Sequence, residues 1–400
     1  MRTYTALLFL ILAACGEAEA PALTVGPVSF TEDQLLGLPP ARRETLGRLA
    51  AFGLAVADSS TAELGAPLVA RWVEDRAVDI LAANLTLMRN DVHDDVLEAR
   101  YLTDPEYELT VRHILFFSER WRTRAERDEA RAKAERALAL LREGAHFAET
   151  ASRLSEEPGA EGRQGLLTPG RRGAWVDEFW AAASALDVGD ISDVTETQYG
   201  FHILRLEGRE VVPFEEARPR VAREVARRVG DPEAVLAARV DEKANKLVYD
   251  EDALARVPDV EPDAVLAHWP EWQLTFGDYV GWETTQPASW NRGGMGVDPA
   301  RFDASVMALA RRQIALVDVE AMRVEVPPEE RAALARQWDD TTNRWATDLG
   351  FRYGTSPEAV GEAALAALAD PAQSAAIARD EIDARAPLIE ARYEITVGSP

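Results

Sequence analysis

Two of the chain's five histidines lie in short segments with β-strand character. His113 falls in Val111-Arg112-His113-Ile114-Leu115, and His202 in Gly200-Phe201-His202-Ile203-Leu204. Side chains alternate between the two faces of a strand. Val111, His113 and Leu115 therefore share one face of the first segment, and His202, Leu204 and Leu206 share one face of the second. If the two strands pair, both imidazoles converge on one surface. An acidic turn, Ser155-Glu156-Glu157-Pro158-Gly159, and an aromatic helical stretch, Trp175 to Phe179, lie between them in the chain. Other polar clusters are poorer candidates. Asp91-Val92-His93-Asp94-Asp95 has metal-ligand residue types but reads as a solvated acidic helix face, and His146 and His268 have no partner pattern. No glycine-rich phosphate loop, Ser-His-Asp order or paired-cysteine site is visible.

The elements that must position these residues can be read around them. Tyr107 to Phe117 forms the first strand. Thr123-Arg124-Ala125-Glu126 has the form of a capping box, and the helix it opens carries Ala130, Ala134, Ala137, Leu138 and Leu141 on one stripe before stopping near Gly144. A shorter helix holds Phe147, Ala151 and Leu154. A third runs from about Val176 to Leu186, and Gly200 to Glu207 is the last strand. The fold class is α+β: a small antiparallel-type sheet covered by helices, flanked by mainly α-helical N- and C-terminal regions. In the N-terminal flank, Leu23 to Phe30 is strand-like, with Thr31 as N-cap of a following helix, and Arg42 to Arg100 is mostly helical. In the C-terminal flank, Pro213 opens a charged helical stretch reaching about Val248. Trp272 to Val280 reads as strand then helix start and loosely echoes Leu23 to Leu35. Further helices are expected over 302–317, 328–349 and 357–368, with an exposed loop over 287–297.

Four hundred residues suggest two or three domains. The boundaries expected are 1–15, a leader; 16–105, a tether and helical region; 106–209, the unit bearing both histidines; 210–256, a connecting helix; and 257–400, a mainly helical region. Hydrophobic residues make up 47% and charged residues 28%, which permits a large core and argues against wholesale disorder. The formal charge of −25 disfavours nucleic acid and anionic lipid as partners of the body of the protein. The sole cysteine, Cys15, excludes an internal disulfide. It follows Met1-Arg2, an apolar run from Ala6 to Ala14, and Leu12-Ala13-Ala14, the pattern of a bacterial lipobox; the apolar run suits a signal sequence and is too short to span a bilayer. The expectation is a lipid-anchored envelope protein, attached to membrane through its N-terminal lipid only. Gly16 after the cysteine favours the outer membrane, facing the periplasm.

The combination of Val-Arg-His-Ile-Leu, the Ser-Glu-Glu-Pro-Gly turn, Val176-Asp177-Glu178-Phe179 and Thr197-Gln198-Tyr199-Gly200-Phe201-His202 resembles the parvulin (PpiC, or rotamase) family of peptidyl-prolyl cis-trans isomerases. The resemblance covers about a quarter of the chain. It implies rotation of X-Pro amides without covalent intermediate, metal, nucleotide or other cofactor. It also implies site residues. His113 and His202 would form a paired-histidine network joined by Thr197. Glu157 would stand where relatives carry cysteine or aspartate, beside the susceptible carbonyl. Leu166, Trp175 and Phe179 would line the proline pocket, and Phe201 would either complete it or pack under the sheet. The family's Gly-Gly-Asp-Leu-Gly is replaced here by Gly162-Arg163-Gln164-Gly165-Leu166-Leu167. Arg120, Arg122 and Arg124 read as decoration of a helix start rather than a phosphate site. The partners implied are unfolded or newly exported polypeptides with X-Pro bonds. An alternative is a non-catalytic periplasmic chaperone built on a parvulin scaffold; a purely structural lipoprotein is a third.

Overall fold

The computed structural model describes residues 21–118, 123–157, 159–257, 259–283, 285–286 and 299–397. Cys15 and its lipobox, Arg120, Arg122, Pro158 and the expected loop over 287–297 lie outside the described residues. From the amino end come strands β1 (Leu23–Val25) and β2 (Val28–Phe30), then helices α1 (Glu32–Leu35), α2 (Pro40–Ala57), α3 (Thr61–Arg89) and α4 (Asp94–Thr103). The middle holds β3 (Tyr107–Phe117), α5 (Arg124–Arg142), α6 (Phe147–Leu154), α7 (Ala160–Arg163), α8 (Asp177–Ser184), β4 (Thr195–Thr197), β5 (Gly200–Val211), α9 (Phe214–Val229) and α10 (Pro232–Ala244). There follow β6 (Val248–Tyr249), α11 (Glu251–Leu254), β7 (Val265–Trp269), β8 (Trp272–Thr275), α12 (Phe276–Glu283), α13 (Pro299–Ala321), α14 (Pro328–Leu349), α15 (Pro357–Ala369), α16 (Gln373–Asp383), α17 (Ala386–Glu390) and β9 (Ile395–Val397).

Local chemistry explains several boundaries. Thr123 caps α5 with a full capping box to Glu126. The helical stretch expected to run unbroken from Pro213 to Val248 is two helices. Gly230 ends α9 in an extended conformation, and the Asp231 carboxylate accepts the Glu233 and Ala234 N–H groups at 3.0 and 3.1 Å to start α10. The last strand extends past Glu207 to Val211, because β3 offers partners down to Tyr107.

The chain gathers into two compact units. One comprises the described residues within 1–76, 240–322 and 328–400; the other comprises those within 77–239 and 323–327. The first unit draws one core from both chain ends: Leu46, Leu49 and Phe52 of α2 pack with Trp345 of α14, Ala364 of α15 and Ala378 of α16. β9 pairs antiparallel with β1, Leu23 opposite Val397. Residues 16–105 and 257–400, expected as separate regions, thus supply strands to one sheet. Gly65 of α3 shows how close this packing is, since a Cβ there would lie 2.1 Å from the Trp338 indole. A second core in the same unit surrounds β7 and β8, with Tyr279 edge-on to Phe302 at 4.7 Å.

The echo between Leu23–Leu35 and Trp272–Val280 has a structural counterpart. Each sheet places a hairpin with a two-residue turn, Val25↔Val28 and Trp269↔Trp272, before a helix. In each, a threonine opens that helix reciprocally. Thr31 exchanges bonds with Gln34; Thr275 accepts Asp278 N–H at 3.1 Å, and its own N–H goes to the Asp278 carboxylate at 2.9 Å.

The second unit carries the sheet that holds both histidines, in antiparallel order β3-β5-β4. One face, with Ile114, Phe116, Phe201 and Ile203, is buried under α5 and α6. The other, with Leu109, Val111, Leu204 and Leu206, packs against Phe179 and Ala183 of α8. Tyr101 of α4 and Val221 and Val225 of α9 belong to a third cluster.

Candidate active site

Strand register brings the two histidines together. Val111 pairs with Leu206, His113 with Leu204, Leu115 with His202 and Phe117 with Gly200. Thr195 and Thr197 of β4 pair with His202 and Gly200. Opposed residues in a sheet project to one side, so His113, His202 and Thr197 share the face that α8 covers. Both imidazoles are buried, at 4% exposure each, where an unsatisfied ring nitrogen would be costly.

The ring nitrogens are satisfied by a chain of hydrogen bonds. His113 Nε2 lies 2.7 Å from Glu157 Oε2. A carboxylate only accepts, so this nitrogen donates. His113 Nδ1 and His202 Nδ1 lie 3.4 Å apart, and which of the two donates depends on the tautomer. His202 Nε2 lies 2.8 Å from the Thr197 hydroxyl, and Thr197 Oγ1 accepts the Tyr199 N–H at 3.1 Å. Burial, with His113 beside it, lowers the His202 pKa from 6.5 to about 3, so this ring is uncharged at neutral pH. For Glu157, burial acts to raise the pKa. The hydrogen bond from His113 and the Arg163 guanidinium, 2.9 Å from the same Oε2, outweigh it, and the carboxyl is held below its usual range.

Glu157 is placed by its neighbours on the exposed edge of β3. Ser155 Oγ accepts the Leu115 N–H at 3.1 Å, Glu156 N–H donates to Leu115 O at 2.8 Å, and Glu156 Oε2 accepts the Phe117 N–H at 2.8 Å. Lys133 of α5 holds the other Glu156 oxygen at 3.0 Å. Farther along the edge, His113 N–H reaches Gly165 O and Leu167 N–H reaches Val111 O, both at 2.9 Å. Gly165 has φ +71°, and a Cβ there would come within 2.4 Å of His113 O; only glycine fits this approach.

An apolar wall stands over the imidazoles. The Phe179 ring meets His113 and His202 edge-on, at 5.6 and 5.5 Å between centroids, and Trp175 lies 5.2 Å from Phe179. Gly170 lies opposite Leu109, and a Cβ there would come within 2.8 Å of the Trp175 indole. Two expected wall residues are elsewhere. Leu166 bridges Arg112, which alternation puts on the sheet face away from the histidines, and Leu167 joins the cluster with Phe179 and Trp175 instead. Adjacent residues of an extended segment take opposite faces, so Leu167 and not Leu166 is turned toward the aromatic cluster. Phe201 is 2% exposed and lies on the α5 face, with the Arg131 guanidinium 5.2 Å from its ring centre; it does not border the histidines.

Comparison with known proteins bears on this same segment: the model of the rotamase, or PPIC-type PPIase, domain matches residues 113–208. These residues form a PPIC-type PPIase domain. "Foldase protein PrsA 4" of Bacillus cereus is 35% identical over 95 residues, covering 23% of this chain and 34% of the relative. "Foldase protein PrsA" of Geobacillus kaustophilus is 36% identical over 125 residues, covering 31% of this chain and 42% of the relative. The chain thus spans less than half the length of these two relatives. A crystal structure of peptidylprolyl isomerase PrsA from Bacillus cereus shares 25% identity, with 44% of this chain and 62% of that chain covered and a TM-score of 0.29.

Within the PPIase domain, the structure brings together His113, His202, Thr197, Glu157, Trp175 and Phe179. Sequence reasoning gave no role to Ser155, Glu156, Arg163 or Leu167. Ser155 and Glu156 were visible within the acidic turn, but nothing local reveals that their side chains stand in for a neighbouring strand. Among the described residues, no three His, Cys, Asp or Glu side chains converge as a metal cage. His93 sits 3.2 Å from Asp91, both largely exposed.

Proposed function

We propose that this protein is a peptidyl-prolyl cis-trans isomerase that assists the folding of exported polypeptides. The observation carrying the proposal is the hydrogen-bonded chain Thr197–His202–His113–Glu157 beneath the Phe179 and Trp175 rings, inside the segment matched by the PPIase model. Amide resonance sets a rotation barrier of about 18–20 kcal/mol. Catalysis requires tighter binding of the twisted amide than of either planar form. The aromatic wall holds the prolyl ring and strips water from the carbonyl. A planar amide places negative charge on its oxygen; the ionised Glu157 beside it raises that state in energy. On twisting, resonance is lost, the oxygen sheds charge and the repulsion falls. The uncharged His202 fixes His113, and His113 fixes Glu157 through Oε2, leaving the carboxylate oriented without moving a proton to substrate.

Exchange of cis and trans X-Pro peptides, followed by NMR with the full chain, tests this reading. The protein should accelerate exchange. Thr197→Val should lower kcat/KM about tenfold, the worth of one lost hydrogen bond, and Thr197→Ser should retain most of the rate. A folded protein that leaves exchange unchanged would refute the enzymatic reading.

The lipobox-like Leu12-Ala13-Ala14-Cys15 supports attachment to the outer membrane, facing the periplasm, through lipid on Cys15. Cys15→Ala should then move the protein from the membrane to the soluble fraction; unchanged fractionation counts against the anchor.

A further inference from the structure

We propose that Arg163 is a positioning residue of the isomerase site: it pins one oxygen of the Glu157 carboxylate and thereby sets how acid the medium can become before the site fails. This rests on the isomerase reading above. The Arg163 Nη2 lies 2.9 Å from Glu157 Oε2, the same atom that accepts His113 Nε2 at 2.7 Å. Two donors from different elements thus meet at one oxygen, and neither uses Oε1. Arg163 Nε also reaches Gly159 O at 3.4 Å, so one planar group spans the turn from Gly159 to Glu157. A guanidinium has the donors for this double duty.

The Arg163 side chain is 45% exposed, but its backbone is anchored. It ends α7, and its carbonyl and that of Gln164 are held by Arg112 Nη1 of β3 at 3.3 and 2.9 Å. Arg112 Nε is paired in turn with Glu207 of β5 at 3.0 Å. Ser152 Oγ of α6 donates to Glu161 O at 2.9 Å. Gln164 has φ +56°, a region seldom taken by residues other than glycine, and Gly165 after it sits against His113 O. The segment that replaces the family's Gly-Gly-Asp is therefore built onto β3, and what it delivers to the site is a fixed positive charge.

That charge has work to do. Burial of Glu157 favours its neutral form, and His113 of β3 and Arg163 of α7 oppose this. Of the other groups nearby, His202 of β5 stands behind His113 and is uncharged at neutral pH. Glu156, in the same turn, is engaged by Lys133 of α5, and Arg112 by Glu207 and the α7 carbonyls. Arg163 differs from both imidazoles in keeping its charge at every pH the fold meets.

Two titrations of the full chain, Arg163→Gln and Arg163→Lys, from about pH 7 to about pH 4, test the proposal. One follows the Glu157 carboxyl by 13C NMR, assigned by its loss in Glu157→Gln. The other follows kcat/KM on an X-Pro peptide, each variant relative to its own rate at neutral pH. Tryptophan fluorescence at each pH keeps the comparison within the folded range. Arg163→Gln should raise the carboxyl midpoint by about one unit, the low end for a carboxylate beside a half-exposed guanidinium. The pH of half-maximal kcat/KM should rise with it. Arg163→Lys, which keeps the charge, should leave both nearer the parent. An unmoved midpoint in Arg163→Gln overturns the proposal, and so does a midpoint that moves without the rate following. If neither the parent nor any variant accelerates isomerisation at any pH, the isomerase reading fails instead, and the carboxyl titration alone decides whether Arg163 governs Glu157.

Discussion

At the scale of single residues, the site is governed by where protons can sit. His202 is buried with its pKa lowered from 6.5 to about 3, burial being the larger cause. The unfolded chain takes up a proton on this ring below about pH 6.5, whereas the folded chain does not until about pH 3. Its contribution to stability is thus complete above 6.5 and is lost as pH falls, at up to about 1.4 kcal/mol per pH unit. Between pH 7 and pH 5 this amounts to about 2 kcal/mol. His202→Gln should remove that dependence, so urea unfolding of the variant should lose about 2 kcal/mol less than the parent over this interval. Equal losses in both would show that His202 is charged in the folded state. Glu157 has the same sign, its lowered pKa favouring the folded state above the usual carboxylate range, but its window lies at more acid pH. The imidazoles, Thr197, Glu157 and the two aromatic rings were legible in the sequence because alternation and motif spacing are local. Leu167 was not, because which face a residue takes in Gly162–Leu167 depends on its register against β3.

At the scale of elements, propensity and capping predicted well where the determinants lie within a few residues. Thr31, Thr123 and the first strand over Tyr107–Phe117 are of this kind. β6 and β9 escaped notice because two- and three-residue strands are defined by their partners rather than by their own pattern. The repeated hairpin, threonine and helix makes a quantitative expectation. Thr31→Ala and Thr275→Ala should each cost about 1 kcal/mol, the usual worth of an N-cap. The caps belong to different sheets and share no partners, so the double variant should lose the sum. Denaturant unfolding of the two singles and the double measures this; a double variant no weaker than one single would mean that the two hairpins are coupled.

At the scale of the whole molecule, the acidic excess of −25 is the dominant electrostatic fact. It should steer cationic unfolded segments toward the protein and repel anionic ones. The ratio of kcat/KM for a lysine-rich over a glutamate-rich X-Pro peptide should therefore exceed one at low salt and shrink as ionic strength rises from 0.01 to 0.15 M, where the Debye length falls from about 30 to 8 Å. A ratio insensitive to salt would exclude steering. The pairing of β1 with β9 has a consequence in time. Strand 23–25 cannot complete its sheet until residue 397 is free to pair, whereas both long strands of the PPIase domain are present once the chain is available through residue 211. Until then the N-terminal hairpin keeps an unpaired edge, the kind of edge to which another chain can add a strand.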